Sequence, residues 1–220
     1  MDGIGESLPD RAPAGELLCE LLRCFYALGW CTGTGGGLSI RVQGGYLVAP
    51  SGVAKERVCP EDLFVLDETF ETVSPLAGTR QQISECTPLF EAIYRRQGAG
   101  AVIHSHSIPI VLATRRDRNR RLLRWQSLEM IKGIRGASYP HPHEIPIIEN
   151  TPRESELRES LEAALQSLPD HAHAIAVRDH GAYIWGRDAM EAKRHAEVYD
   201  WLCRFQYEES LEPPHREEGA

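Results

Sequence analysis

Val102-Ile103-His104-Ser105-His106 closes an apolar run, Ala99 to Ile103, with two histidines one residue apart. Read as a strand, the run projects residues two apart from one face, so both imidazoles can converge on a single metal ion. Two ligands leave the site incomplete. A second apolar run, Ala174-Ile175-Ala176-Val177, leads through Arg178 and Asp179 to His180-Gly181. If the two strand ends meet, three neutral nitrogen donors surround one divalent cation with positions left for substrate, the ligand set of a catalytic zinc. The chain has nine histidines, and His141-Pro142-His143 and His171-Ala172-His173 repeat the spacing. The ordinary fate of such a pair is the surface or a hydrogen bond in the core. His104 and His106 stand apart because they cap a buried-looking strand, and strand ends are where sheet proteins place their ligands.

The rest of the chain is consistent with one α/β domain. Its 220 residues are 42% hydrophobic, enough for a sizeable core. A net charge of −8 favours neither nucleic acid nor an anionic membrane, so an anionic ligand needs a local basic or backbone-amide site. The six cysteines, Cys19, Cys24, Cys31, Cys59, Cys86 and Cys203, form no Cys-x-x-Cys pair, and no basic-then-apolar leader opens the chain. The expectation is a cytoplasmic protein with reduced thiols. The uncharged run Cys24 to Ile40 is too rich in glycine for a membrane span.

Met1 to Ala14 is expected to be a disordered lead-in, residues 15–207 the catalytic domain, and residues 208–220 a flexible acidic tail. Leu17, Leu18, Leu21, Leu22, Phe25 and Leu28 recur at helical spacing and stop at Gly29. Thr32-Gly33-Thr34-Gly35-Gly36-Gly37 follows a helix and precedes the alternating Leu38 to Val42, the reverse of the strand-then-helix setting a dinucleotide fingerprint needs. Gly44-Gly45 reads as a hairpin turn with Gln43 opposite Tyr46. That register sets Gly37 opposite Gly52, so Gly35, Gly36 and Gly37 meet Ser51 and Gly52. Backbone amides beside a serine hydroxyl can cradle a phosphate dianion, with Lys55 and Arg57 adding charge; tight turns and a solvated loop are the alternatives.

Ser74 to Ser84 is expected to be a mobile loop, and Thr87-Pro88 to cap and open a helix ending at Gly98. Cys86, just before it, is either a thiolate favoured by the helix dipole or a buried structural cysteine. Arg115 to Arg121 holds five arginines in seven residues, expected at an exposed helix end. Glu129, within Leu128-Glu129-Met130-Ile131-Lys132-Gly133, is the candidate general acid/base if apolar neighbours raise its pKa, and an ordinary exposed glutamate otherwise. Thr151-Pro152-Arg153-Glu154 reads as a cap and capping box for a helix to Leu168. The strands flanking His180 are expected to form an edge hairpin, and Asp188 to cap the last helix.

Taken in order, Gly29 to Gly37, Ala49-Pro50-Ser51-Gly52-Val53, Glu85 to Phe90, Val102 to Ser107, Leu128 to Ile134, Ile147 to Thr151 and His180-Gly181 resemble the class II aldolase/adducin family, and within it the methylthioribulose-1-phosphate dehydratase branch. The resemblance spans about Leu17 to Phe205 and implies a three-layer α/β/α domain with a mainly antiparallel central sheet. It implies one zinc per subunit on His104, His106 and His180, Glu129 as catalytic acid/base, Cys86 contacting substrate, and a homotetramer with active sites near subunit boundaries. The implied reaction is dehydration of 5-methylthioribulose 1-phosphate to 2,3-diketo-5-methylthiopentyl 1-phosphate in methionine salvage. The family's aldolases carry a glutamate where Cys86 stands, a departure that favours dehydration over aldol cleavage. Animal members also imply cell-death pathway proteins as partners. Aldol cleavage of a related ketose phosphate and a non-catalytic interaction role are the competing readings.

Overall fold

A computed structural model describes residues 8–74 and 81–211. The expected mobile loop therefore lies mostly outside the described residues, as do residues 1–7 and 212–220. Within the stretch expected as lead-in, α1 already begins at Arg11 (Arg11–Ala27). At the other end α5, Ala189–Glu209, runs past residue 207, where the expected domain ends.

Between them lie β1 (Gly37–Val42), β2 (Gly45–Val48), β3 (Pro50–Ser51), β4 (Phe64–Leu66), β5 (Thr72–Ser74) and β6 (Gln82–Ile83). Then come α2 (Thr87–Gln97), β7 (Ala101–Ser105), α3 (Ile108–Arg115), β8 (Leu122–Trp125), β9 (His143–Ile148), α4 (Arg158–Gln166), β10 (Ala174–Val177) and β11 (Gly181–Gly186). Nine strands form one sheet in the order β5-β4-β2-β1-β7-β11-β10-β9-β8, antiparallel except where β10 runs parallel to β9. The sheet's central strands are buried on both faces. Alternate residues such as Leu38, Ile40, Ala101, Ile103, Ala182 and Ile184 pack with α1, α3 and α5, while Val48, Val102, Ile175, Val177, Tyr183 and Trp185 pack with α2 and α4. The result is an α/β/α sandwich with a mainly antiparallel sheet. Period-two alternation lets each strand supply both cores at once.

Three local expectations change. The first hairpin turns at Gln43-Gly44, with Val42 opposite Gly45 and Arg41 opposite Tyr46. Gly44 (φ +71°) takes the positive φ this turn requires. Gly37 is consequently not paired with Gly52. After Ala49 the chain leaves the sheet, and Pro50–Ser51 pairs with Gln82–Ile83 instead. Gly37 does lie opposite His104 on β7, which places the glycine run directly beside the first histidine.

The hairpin β10–β11 is interior, wedged between β7 and β9, so His180 sits in a supported turn rather than at an edge. At α2, Cys86 occupies the cap position and Thr87 Oγ1 donates to the Ser84 carbonyl. Asp188 caps α5 as expected, its Oδ1 accepting from Glu191 N at 2.7 Å. Among the described residues no helix is long and apolar enough to cross a membrane.

Candidate active site

His104 and His106 stand at the C-terminal end of β7 and just beyond it; His180 closes the turn between β10 and β11. Because β7 and β11 pair with Ser105 opposite Ala182, the turn delivers His180 over the end of β7. His106 Nε2 lies 2.9 Å from His104 Nε2 and 3.2 Å from His180 Nε2. On two of the three rings the opposite nitrogen is already committed. His104 Nδ1 donates to the Ala182 carbonyl at 3.3 Å, and His180 Nδ1 to Asn150 Oδ1 at 2.9 Å. These bonds fix the tautomer and leave the Nε2 lone pairs facing inward, as outer partners of metal-bound histidines do.

Converging lone pairs repel unless a proton or a cation lies among them. A proton is disfavoured, since burial, then the neighbouring rings His104 and His180, push the His106 pKa down to about 3; burial, then His104, lowers that of His180. The separations suit zinc, for which bonds of 2.0–2.1 Å put tetrahedral donors about 3.3 Å apart. The donor set and its geometry therefore fit a divalent cation.

The frame around the trio is built from long-range contacts. His106 N donates to the Trp30 carbonyl at 2.8 Å, and Asp200 on α5 accepts from both Trp30 Nε1 (3.0 Å) and Ser107 Oγ (2.6 Å). Gly35 and Gly36 are needed for space. A Cβ on Gly35 would lie 2.6 Å from His106 Nδ1, and one on Gly36 (φ +68°) 2.7 Å from Cys31 Sγ and 2.9 Å from the His104 carbonyl.

Arg178, only 2% exposed, fixes the turn that carries His180. Its Nε donates to both Glu149 carboxylate oxygens at 3.0 Å, and its other nitrogens to the Thr114 and Arg120 carbonyls. The arginine stretch also braces this turn, through Arg115 (3.2 Å) and Arg118 (3.0 Å) to Asp179. Arg178→Met, which strips donors from buried carbonyls, is expected to cost about 3 kcal/mol. In a chain of this size that is a Tm lower by about 10 °C, together with weaker metal binding. A melting curve and a metal titration check it; an unchanged Tm would show that the turn holds itself.

Glu129 opens a 3-10 turn, Glu129–Gly133, but its carboxylate is 75% exposed and paired with Lys132 Nζ at 2.8 Å. The apolar surroundings expected for it are absent within this chain, because Leu128 and Ile131 point inward while Glu129 points out. Cys86 is buried, and desolvation followed by the adjacent Glu154 carboxylate pushes its thiol well above the ordinary range. The helix dipole does not outweigh burial, so the thiolate reading fails. Of the predicted phosphate cradle, Gly35, Gly36 and Ser51 are half-buried, Gly52 exposed and Gly37 buried in β1. Lys55 is not a solvated loop residue. It is 2% exposed and donates to the Thr34 (2.8 Å) and Val53 (3.4 Å) carbonyls, and burial lowers its pKa.

Sequence spacing misplaces one residue. Glu154 caps nothing; the capping box does not form, and Glu154–Leu157 is a 3-10 turn that precedes α4. Its carboxylate enters the site, Oε1 lying 2.7 Å from His104 Nε2 and accepting from Tyr183 Oη at 2.6 Å. Burial alone would raise its pKa, but contacts with His104, Tyr183 and Cys86 hold it far below the usual carboxylate range. The only sequence signal is a glutamate at a position whose helical role needs a cap hydrogen bond.

The comparisons with known proteins agree with this architecture. Residues 16–207 match the family model described as class II aldolase and adducin N-terminal domain. Methylthioribulose-1-phosphate dehydratase of Gallus gallus is 44% identical over 90% of this chain and 84% of its own length, and that of Mus musculus 45% over 88% and 82%. Among solved structures, L-fuculose-1-phosphate aldolase of Thermus thermophilus superposes with a TM-score of 0.65 at 24% identity, covering 91% of this chain and 96% of its own. YgbL of Escherichia coli gives 0.75 at 18%, covering 92% of both. A sheet whose central strand ends carry three facing histidines, in a chain this similar along nearly its whole length, is explained by common descent: the chain belongs to the class II aldolase and adducin family and groups with the methylthioribulose-1-phosphate dehydratases within it.

Proposed function

We propose that this lyase dehydrates 5-methylthioribulose 1-phosphate to 2,3-diketo-5-methylthiopentyl 1-phosphate, a step of methionine salvage, with one zinc held by His104, His106 and His180. The observation that carries the reading is the convergence of three Nε2 atoms, with the far nitrogens of His104 and His180 hydrogen-bonded so that their Nε2 lone pairs face the shared point. Bound zinc supplies Lewis-acid stabilisation of the enediolate charge that develops across C2 and C3 of the substrate.

The chain's own groups supply the rest. Gly35, Gly36, Gly37, Ser51 and Gly52 surround the phosphate, and Lys55 brings a buried positive charge whose hydrogen-bond partners among the described residues are the Thr34 and Val53 carbonyls. Holding the phosphate fixes the reacting carbons relative to the trio. Glu129 takes the C3 proton and returns it to the departing C4 hydroxyl, so one carboxylate serves both steps. Its exposure in the single chain agrees with active sites near subunit boundaries in a homotetramer, where a neighbouring subunit would enclose it. Cys86, beside His104, contacts the substrate without acting as a thiolate.

Glu129→Gln is expected to keep zinc bound while turnover falls by about 10²–10⁴-fold, the usual contribution of a positioned general base. Zinc content and single-turnover rates check this; full activity would remove Glu129 from the mechanism. Product analysis separates dehydration from the aldol alternative, since dehydration yields one diketone and retro-aldol cleavage two carbon fragments.

A further inference from the structure

We propose that Glu154 Oε1 is a fourth protein ligand of the cation held by His104, His106 and His180. The proposal rests on the metal reading of that trio and extends it.

The argument is geometric. Glu154 Oε1 lies 2.7 Å from His104 Nε2 and 3.8 Å from His180 Nε2, which brackets the donor spacing of about 3.3 Å in a tetrahedral zinc site. A carboxylate that merely orients a metal-bound histidine sits on the ring nitrogen away from the metal. On His104 that nitrogen is Nδ1, already taken by the Ala182 carbonyl. Glu154 is instead on the Nε2 side, where the lone pairs meet. Cys86, His104 and Glu154 form a second group of ligand atoms within 4.8 Å of one another, sharing His104 with the trio.

The carboxylate is held there rather than passing through. Tyr183 lies opposite His104 across the β7–β11 pairing and stacks on its ring, centroids 4.3 Å apart. Its hydroxyl donates to Glu154 Oε1 at 2.6 Å, so the ring that packs His104 also aims the glutamate. Leu157, fully buried, pins the other end of the 3-10 turn. Charge agrees with this placement. Three neutral imidazoles leave a divalent cation uncompensated, and the buried Lys55 ammonium is close enough to influence both His106 and Glu154. Glu154 supplies a negative charge against these cations. As a ligand it would help His104, His106 and His180 to retain the cation.

The test compares wild type, Glu154→Gln and Tyr183→Phe by competition with a zinc chelator and by the visible spectrum of the cobalt(II)-substituted proteins. E154Q is expected to bind zinc about 10–100-fold more weakly and to change the cobalt band pattern. Y183F, which keeps the carboxylate, should preserve that pattern with a smaller loss of affinity. Wild-type affinity and spectrum in E154Q would overturn the proposal while leaving the trio intact. Failure of the wild type to bind either metal would overturn the trio and Glu154 together. Should E154Q not fold, the zinc-minus-metal-free infrared difference spectrum of the wild type decides: a shifted carboxylate stretch supports ligation, and an unmoved one overturns it.

Discussion

His106→Ala is expected to lose its zinc on dialysis and to reduce dehydratase turnover by more than about 10³-fold, because charge stabilisation by the metal lowers the barrier of such a reaction more than any other contribution. His106 is the informative member of the trio, since its Nε2 contacts both other rings, at 2.9 and 3.2 Å. Removing it takes away the one ring nitrogen that lies within hydrogen-bond distance of both other rings. Its backbone bond to Trp30 and the Asp200 network survive the substitution, so the fold should persist, with circular dichroism confirming it. Retained zinc at one equivalent and near-normal turnover would place the metal elsewhere and sink the assignment.

The second large effect is acid lability from histidines outside the trio. His143, His173 and His195 are buried under the segment that follows Glu129, with His173 and His195 stacked at 4.5 Å. Each is bonded as a neutral ring. His195 Nδ1 donates to the Trp185 carbonyl at 2.8 Å and its Nε2 accepts from Arg135 N at 3.1 Å; His173 Nε2 donates to the Arg135 carbonyl at 3.0 Å. His143 Nε2 lies 3.0 Å from Tyr199 Oη, which also accepts from His173 N at 3.1 Å. A proton on His195 Nε2 would face the Arg135 N–H, donor against donor.

Desolvation first, and then neighbouring groups, take the pKa of His143 and His195 from 6.5 down to about 4, and lower that of His173. The unfolded chain therefore binds more protons than the folded one between about pH 6.5 and 4. Stability is fully present above 6.5 and is lost as pH falls through that window, by about 1.4 kcal/mol per pH unit for each ring. His143 and His195 together contribute on the order of 6 kcal/mol by pH 4, comparable with the whole stability of a typical domain. Urea midpoints measured from pH 7 to 4 should fall steeply, and His195→Gln, which cannot titrate, should flatten the slope. A pH-independent midpoint would contradict the buried neutral state. Since His173 and His195 hold both backbone groups of Arg135, acid should also loosen the segment that carries Glu129.

These histidines show what pattern reading can and cannot separate. His171-Ala172-His173 has the spacing of His104-Ser105-His106, and both lie beside apolar strands. His104 and His106 become two of the three facing rings of the candidate metal site, whereas His173 joins a structural hydrogen-bond network. The difference is what the fold places opposite them: a third histidine turn in one case, the Arg135 backbone and α5 in the other. Glu129 and Glu154 depart from their sequence settings in a related way. The apolar neighbours of Glu129 pack inward and leave it facing solvent. Glu154, whose spacing suits a helix cap, sits in a turn whose direction is set by Leu157 and Tyr183.

While the three-layer arrangement came from the family resemblance, the sequence by itself determined an α/β domain and the positions of the main helices and central strands, and it singled out the three histidines that the fold brings together. These follow from local rules: apolar period sets the element, the pleat sets which residues share a face, and an apolar run ending in histidine sets a ligand at a strand end. Only the tertiary structure decided the hairpin register at Gln43-Gly44, the burial of Lys55 and Arg178, the exposure of Glu129 and the entry of Glu154 into the site. The physical reason is that a loop side chain takes its direction from contacts made across the sheet, with partners such as Tyr183 and Glu154 that lie 29 residues apart, or His104 and Ala182 that lie 78 apart.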